Sequence, residues 1–187
     1  MANINSHMFR EYDIRGVYNK ELFDQDAELI GKAFGTLLAK RGERNVIVAR
    51  DCRVSSPILS KKLIAGLQST GCNVTDVGIA SWGLVNYALR QKGNSGNAVF
   101  VSASHNPPQY NGFKLVAKGH SLAGEEIRSL LDLIIGNTFT TGNGSFSCVD
   151  YLDEYIAFLK SKVDLKRKVK LVIDYGNGMG ALVGPKL

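Results

Sequence analysis

The sequence lacks the patterns that mark several large classes of protein. No apolar run approaches the roughly 20 residues that a membrane-spanning helix requires. The first residues contain no basic segment leading into an apolar stretch, as a secretory signal would. We therefore expect a cytoplasmic protein without a membrane partner.

Cysteine is scarce, and its spacing argues against two kinds of site. Cys52, Cys72 and Cys148 lie far apart and form no CxxC pair, which argues against bound zinc. Their odd number also argues against a disulfide framework. The sequence contains no GxSxG motif, and no second histidine and acid can be assigned to a catalytic triad. A serine hydrolase is therefore disfavoured.

The formal net charge of +6 raises the question of nucleic acid. Part of this charge lies in a basic run that consists of Lys160, Lys162, Lys166, Arg167, Lys168 and Lys170. No RNA-binding signature or interleaved aromatic residues accompany the run, so we interpret it as a solvated helix end and linker and expect no nucleic-acid partner. The remaining positive charge suits an anionic small ligand equally well, so charge alone does not decide the function.

Apolar periodicity predicts an α/β protein in which helices and strands alternate. Helices are predicted over 24–41, 56–71 (with Ser56 as cap and Pro57 in the first turn), 84–91, 123–135 and 151–162, and strands over 45–51, 74–77, 98–101, 113–117 and 169–174. The polar residues 137–147 predict a domain boundary. We expect a three-layer domain over 1–150, with a mixed, mostly parallel sheet between helices. A linker helix and the beginning of an incomplete second α/β unit would occupy 151–187, which suggests a piece of something longer.

One strand leads directly into a segment that is rich in chemically useful residues. Residues 98–101 are followed by Ser102 to Pro108, and the two prolines cannot continue a helix or a central strand. A fixed loop is therefore predicted at the carboxyl end of a strand, where open α/β sheets bind ligands. Such a loop can expose the Ser104 hydroxyl beside backbone N–H groups that bind an anion, although a simple polar surface turn has a similar composition. Asn111-Gly112 predicts a tight turn.

Four segments, taken in order, carry a resemblance to a known family. They are FREYDIRG at 9–16, ARDCRVSSP at 49–57, SASHNP at 102–107 with NGFK at 111–114, and VIDYGNG at 172–178. They resemble the opening motif, the G-R-D-x-R-x-S-S-P motif, the phosphoserine signature and the start of the second domain of the α-D-phosphohexomutases. The sequence departs from these motifs at Ser102, usually threonine, at Ala49, often glycine, and at Ser81-Trp82-Gly83, where small residues, threonine and prolines are usual.

The resemblance implies roles for five residues. Ser104 would carry a phosphoryl group, donate it to a phosphosugar through a bisphosphate intermediate, and bind Mg²⁺ through its phosphate. Arg15 and Lys114 would bind substrate and stabilise the transferred group as cations, and Lys114 would also serve as general base. His105 would position the loop or bind the phosphate region, and Tyr12 would contact the substrate.

Three of these residues have ordinary alternatives. Arg15 can instead pair with Asp13 or Glu11, Lys114 can be a solvated lysine at a strand edge, and Tyr12 can belong to the core.

The family interconverts hexose 1-phosphates and 6-phosphates, and the motifs favour its phosphomannomutase/phosphoglucomutase branch, which acts on mannose and/or glucose phosphates. The resemblance places the remaining Mg²⁺ ligands and the sugar-reading parts beyond residue 187, so the chain alone is expected to be inactive. Oligomeric state is not readable. One alternative is a non-catalytic module that binds phosphate or a partner. Another is a dinucleotide-binding oxidoreductase, because 176–181 satisfies G-x-G-x-x-A after the strand predicted over 169–174.

Overall fold

A computed structural model describes residues 4–187 as alternating strands and helices. The strands are β1 (Ile14–Val17), β2 (Asn45–Arg50), β3 (Asn73–Ile79), β4 (Ala98–Val101), β5 (Tyr110–Ala117), β6 (His120–Ser121) and β7 (Phe146–Cys148). The helices are α1 (Asp24–Lys40), α2 (Ser56–Ser69), α3 (Trp82–Leu89), α4 (Glu125–Ile135), α5 (Leu152–Lys160) and α6 (Gly180–Val183). None of the helices in residues 4–187 is long and apolar enough to cross a membrane.

All seven strands form one mixed sheet with the order β1-β5-β4-β2-β3-β7, and β6 pairs with β5. The pairings β4–β2, β2–β3 and β3–β7 are parallel, whereas β1, β4 and β6 pair antiparallel with β5. The prediction of a mixed sheet is confirmed, and its parallel and antiparallel pairings are equal in number. The carboxyl ends of β2, β3 and β4 meet at one edge of the sheet.

Helices cover both faces of the sheet, which confirms the three-layer arrangement. Side chains alternate along each strand, so Val48 and Val99 pack on one face against α1, α2 and α4. Ile47 and Phe100 point to the other face, which α3 and α5 cover. Strands buried on both faces read as continuous apolar runs, and this is why 46–49 and 98–101 contain no polar residue.

The predicted turn at Asn111-Gly112 is wrong, because both residues lie inside β5. Gly112 is paired with Arg15 of β1, and a Cβ atom on Gly112 would lie 2.3 Å from the Ile14 carbonyl oxygen. This glycine therefore permits a close approach of two strands. Asn111 is fully buried and donates to the hydroxyls of Ser55 and Ser56.

The segment predicted as a strand over 169–174 is also not a strand. It forms no ladder with any other strand among residues 4–187, and Val172 is 97% exposed. Conversely, the end of the polar connection enters the sheet as β7, which pairs with β3 at the sheet edge. A smaller correction concerns α2, whose N-cap is Ser55, with Ser56 already inside the helix. The proposed division of the chain at residue 150 stays a prediction.

Candidate active site

A cleft of about 990 Å³ opens at the edge of the sheet where β2 and β4 end. Its walls come from β1, the loop after β2, the start of α3, β5, residues 176–179, and residues 102–109, which we call the serine loop. The charged and hydroxyl-bearing side chains in the cleft are Asp13, Arg15, Asp51, Arg53, Ser102, Ser104, His105 and Lys114. The tertiary structure thus brings four of the five predicted site residues together.

Ser104 occupies a strained position at the tip of the serine loop. Its φ of 55° lies in the left-handed region, which few residues other than glycine adopt. Ser104 is exposed, and its N–H donates to the Ser102 hydroxyl at 3.0 Å. Strain of this kind costs about 1–3 kcal/mol and concentrates at functional sites. The backbone N–H of Asn106 is also engaged, with the Ala103 carbonyl, so these two N–H groups are not free for an anion.

Arg53 holds the serine loop in place. Its guanidinium donates to four backbone carbonyls, those of Ser104 at 3.1 Å, Asn106 at 2.8 Å, Pro107 at 2.7 Å and Tyr110 at 3.1 Å. The planar fork of arginine suits such a set of acceptors, which the single ammonium of lysine cannot match. The loop that carries Ser104 is therefore fixed by a side chain 51 residues away in the sequence.

A buried carboxylate orients Arg53 in turn. Asp51 is 5% exposed, and its two oxygens accept from the backbone N–H and the Nε of Arg53, each at 3.0 Å. The Ser56 hydroxyl also donates to Asp51 at 2.5 Å. Sequence reasoning did not select Arg53 or Asp51 as site residues. The signal was the ARDCRVSSP segment, in which both residues stand beside the start of α2.

Arg15 connects β1 to the serine loop. One terminal nitrogen donates to the Asp13 carboxylate and the other donates to the Asn106 side-chain oxygen. Its Nε is buried and has no hydrogen-bond partner among the described residues. The ordinary alternative, a pair with Asp13, is present, but the same guanidinium also faces the cleft. Arg15 is thus a cation fixed against the loop that carries Ser104.

Lys114 projects from β5 on the face of the sheet that α3 covers. Its Cα partner across the strand pair is Phe100, and its ammonium lies 4.6 Å from the centre of the Trp82 ring. Among residues 4–187 it forms no ion pair, whereas Arg15 and Arg53 each pair with an aspartate. Lys114 is therefore the lining cation whose charge is not offset by a neighbouring carboxylate.

The other two predicted residues occupy different places. His105 is exposed, and its Nδ1 lies 3.3 Å from the Ser104 Oγ, within reach of a hydrogen bond. Tyr12 is 68% exposed and does not line the cleft, so it belongs neither to the core nor to this set of side chains. Its predicted contact with substrate stays a prediction.

The described residues do not form a magnesium site by themselves. No group of three or more His, Cys, Asp or Glu side chains in residues 4–187 could hold a metal ion. The two aspartates in the cleft are engaged by arginines, since Asp13 pairs with Arg15 and Asp51 pairs with Arg53. A hard cation such as Mg²⁺ needs oxygen ligands, and this part of the chain has no free carboxylate cluster in the cleft to supply them.

The glycine-rich turn at 176–180 lacks the context of a dinucleotide-binding site. That motif requires a strand immediately before the turn, and residues 169–174 form none in the described chain. Gly176 and Asn177 instead form a left-handed turn on the edge of the cleft. The oxidoreductase alternative loses its main support.

The family described as "Phosphoglucomutase/phosphomannomutase, alpha/beta/alpha domain I" matches residues 6–141. The chain belongs to the phosphoglucomutase/phosphomannomutase family. The matched residues include β1, the loop after β2 that contains Arg53, the serine loop and Lys114. The resemblance that the motifs indicated is thereby confirmed.

Individual phosphoglucomutase/phosphomannomutase relatives agree with this assignment. The chain is 42% identical over its whole length to a phosphomannomutase/phosphoglucomutase of Pseudomonas putida and covers 40% of that protein. It is 38% identical to a phosphoglucomutase of Neisseria meningitidis and covers 41% of it. A crystal structure of a family protein from Burkholderia thailandensis superposes with a TM-score of 0.91 at 38% identity, covering 98% of this chain and 41% of that one. The chain spans about two fifths of the length of the relatives it matches.

Proposed function

We propose that this chain supplies the phosphoserine part of a phosphohexomutase that interconverts hexose 1-phosphates and 6-phosphates, of mannose and/or glucose. The observation that carries the proposal is the position of Ser104. It lies at the tip of a loop held by four hydrogen bonds from the Arg53 guanidinium to backbone carbonyls, in a cleft that also contains Arg15 and Lys114. The relatives named as phosphomannomutase/phosphoglucomutase support this class of substrate.

The proposed transfer starts from a phosphoryl group on the Ser104 Oγ. The bond between Oγ and phosphorus breaks while a bond forms from phosphorus to a hydroxyl oxygen of the phosphosugar. In net terms the hydroxyl proton passes to Oγ, which leaves a free serine and a sugar bisphosphate. The reverse step, with the other phosphate of the bisphosphate, restores the phosphoserine. Because such a transition state spreads negative charge over the phosphoryl oxygens, fixed cations are the main contribution a protein can make.

Arg15 and Lys114 are the proposed cations for this transfer. Arg15 is held against the serine loop through Asn106, and Lys114 lies on the Trp82 ring without a neighbouring carboxylate. A ring face stabilises the protonated ammonium, so this contact supports the role of Lys114 as a cation more than its role as a general base. His105 is proposed to orient the phosphoserine. Tyr12 has no role that the geometry of the cleft supports.

We propose that the mutase depends on Mg²⁺ and that this chain supplies one ligand to the ion, an oxygen of the phosphate on Ser104. That assignment derives from the family resemblance, and no step above depends on it.

Intact-mass measurement of the protein purified with phosphatase inhibitors tests the phosphoserine. We expect a species heavier by one phosphoryl group, which is removed by phosphatase treatment and absent in Ser104→Ala. Ser161→Ala serves as the matched control, because it removes an exposed serine hydroxyl outside the cleft and should keep the heavier species. A peptide map that places the phosphate on another residue would contradict the proposal.

A non-catalytic, phosphate-binding module is the second candidate. It is favoured by the length of the chain, which covers only 40% of the Pseudomonas putida relative. We expect no steady conversion of glucose 1-phosphate by the purified 187 residues alone. Conversion by that chain would exclude the non-catalytic candidate. The absence of conversion together with a phosphorylated Ser104 would agree with a mutase part that needs further residues.

A further inference from the structure

Trp82 occupies a fixed place on the wall of the cleft. It is the first residue of α3, directly after the N-cap Ser81, whose hydroxyl accepts from the Leu84 N–H. The next residue is Gly83, where a Cβ atom would lie 2.3 Å from the Tyr155 hydroxyl oxygen. The absence of a side chain there lets α5 pack against the first turn of α3.

The Trp82 ring itself packs on Phe100, with ring centres 5.8 Å apart. Phe100 is 7% exposed and belongs to the sheet, so the ring lies on a rigid support. The indole is therefore held by two layers of the fold, the helix that begins with Trp82 and the strand β4.

The Trp82 ring also contacts the ammonium of Lys114. Its distance of 4.6 Å from the ring centre is within the roughly 6 Å over which the ring quadrupole attracts a cation. A carboxylate partner would neutralise the charge and occupy N–H donors, as Asp13 does for Arg15. A ring face stabilises the cation without accepting a strong hydrogen bond, so the donors of Lys114 stay available.

We infer that Trp82 is a positioning residue that holds the Lys114 ammonium in the cleft beside the serine loop, where it receives the oxygens of a phosphate monoester. This inference rests on the proposed function, since it assigns Trp82 to the same site. Trp82 touches Lys114 and acts through it. Because Trp82 is the single tryptophan of the chain, a substitution removes no other indole.

The first test is spectroscopic and concerns the contact itself. Protons above an aromatic ring are shifted upfield by the ring current, so the ε-methylene resonances of Lys114 should lie upfield of those of lysines that contact no ring. They are assigned by their loss in Lys114→Met. We expect the upfield shift to disappear in Trp82→Leu and to persist in part in Trp82→Phe.

The second test measures what the contact does, by titrating each protein with inorganic phosphate. A cation–π contact at a partly exposed site contributes about 0.5–1 kcal/mol, so Trp82→Leu should weaken phosphate binding about two- to five-fold. Trp82→Phe should recover part of this loss because a phenyl ring also attracts a cation. If Trp82→Leu does not fold, as judged by circular dichroism, Trp82→Phe carries the test. Its Lys114 resonances should lie between those of the parent and those of lysines without a ring contact, and its phosphate affinity between those of the parent and of Lys114→Met.

Phe158→Leu is the matched control. It removes a ring that lies 5.2 Å from the Lys162 ammonium, a contact of the same kind on α5 outside the cleft lining. It should leave the Lys114 resonances and the phosphate affinity unchanged.

Two results overturn the inference: Lys114 resonances that do not respond to Trp82→Leu, or an unchanged phosphate affinity in that variant even if the resonances move. The proposed function fails separately, if Ser104 never carries phosphate while Lys114 still depends on Trp82. If Ser104 is phosphorylated but the Lys114 resonances do not respond to Trp82→Leu, only the positioning role of Trp82 is contradicted.

Discussion

Strand β4 and the segment 169–174 begin from similar sequences and adopt different structures. Residues 98–101 and residues 171–173 are short apolar runs, and each leads into a loop of small and polar residues. In β4 all four side chains are buried, and the backbone pairs with β2 on one side and β5 on the other. In the second segment Leu171 is 69% exposed and Ile173 is 53% exposed, and no strand of the described chain pairs with it.

The difference shows what fixes a functional loop in this fold. The serine loop begins at the end of β4, a strand that is paired on both sides, and Arg53 then holds the loop by hydrogen bonds to its backbone. The glycine turn at 176–179 borders the same cleft, but it follows a segment that pairs with no strand in the part of the chain the structure describes. An apolar run becomes a strand only where other strands satisfy its backbone groups and helices cover its side chains.

The largest expected effect comes from truncating one leucine in each region. Leu115 of β5 is 1% exposed, so Leu115→Ala should lower the free energy of unfolding by about 2–5 kcal/mol through lost burial and a residual cavity. Leu171→Ala should change it by less than about 0.5 kcal/mol. Urea denaturation of both variants measures these free energies of unfolding. Equal losses of stability would contradict the difference between a packed and an exposed region.

The clamp on the serine loop gives the next effect. Arg53→Lys keeps the charge but cannot reach four carbonyls and Asp51 together, so we expect a loss of about 1–3 kcal/mol from the hydrogen bonds lost to exposed and partly buried carbonyls and to Asp51. Limited proteolysis should cut within 102–109 sooner than in the parent. Arg167→Lys, in the exposed segment, is the matched control and should behave like the parent. A stable Arg53→Lys with an uncut loop would show that the clamp is dispensable.

Backbone crowding distinguishes two glycines. Gly112→Ala would place a Cβ atom 2.3 Å from the Ile14 carbonyl oxygen, so β1 and β5 must separate, at a cost of about 1–3 kcal/mol. The nearest atom to a Cβ on Gly178 is the Tyr175 carbonyl oxygen at 3.1 Å, so Gly178→Ala should cost less. Thermal unfolding of the two proteins measures the difference, and a reversed order would refute the close approach of the strands.

The smallest effect concerns a polar group inside the packed region. Asp26 is 2% exposed, one of its oxygens has no partner among the described residues, and burial raises the pKa of this carboxyl above its ordinary 3.8, although the Phe23 N–H opposes the shift. Between the ordinary and the raised pKa the unfolded chain ionises first, so the stability of the folded state falls as the pH rises through this window. Asp26→Asn should therefore gain stability relative to the parent from pH 4 towards pH 7.

Unfolding free energies of parent and Asp26→Asn, measured at several pH values in this range, test the sign. Curves that run parallel, or an advantage of the variant that shrinks with rising pH, would mean that Asp26 carries no penalty for being charged.

Sequence reasoning located most elements and the central residue of the site, because both depend on local information. Apolar periodicity predicted α1, α2 and β4 within a few residues, and the SASHNP segment singled out Ser104. It failed at Asn111-Gly112, where turn chemistry gave way to strand pairing. Tyr12, which it also selected, is exposed and outside the cleft lining, and its contact with substrate stays a prediction.

By itself, the sequence determined the order of α1 to α5 and of β2 to β5, the membership of the family, and the serine loop with its flanking cations. Only the tertiary structure decided that Arg53 holds that loop, that Trp82 supports Lys114, and that no strand within residues 4–187 pairs with 169–174. The physical reason is that these outcomes depend on pairs of groups distant in the sequence, 51 residues for Arg53 and Ser104. Such pairs meet only once the strand order of the sheet is set, and no local pattern of residues specifies that order.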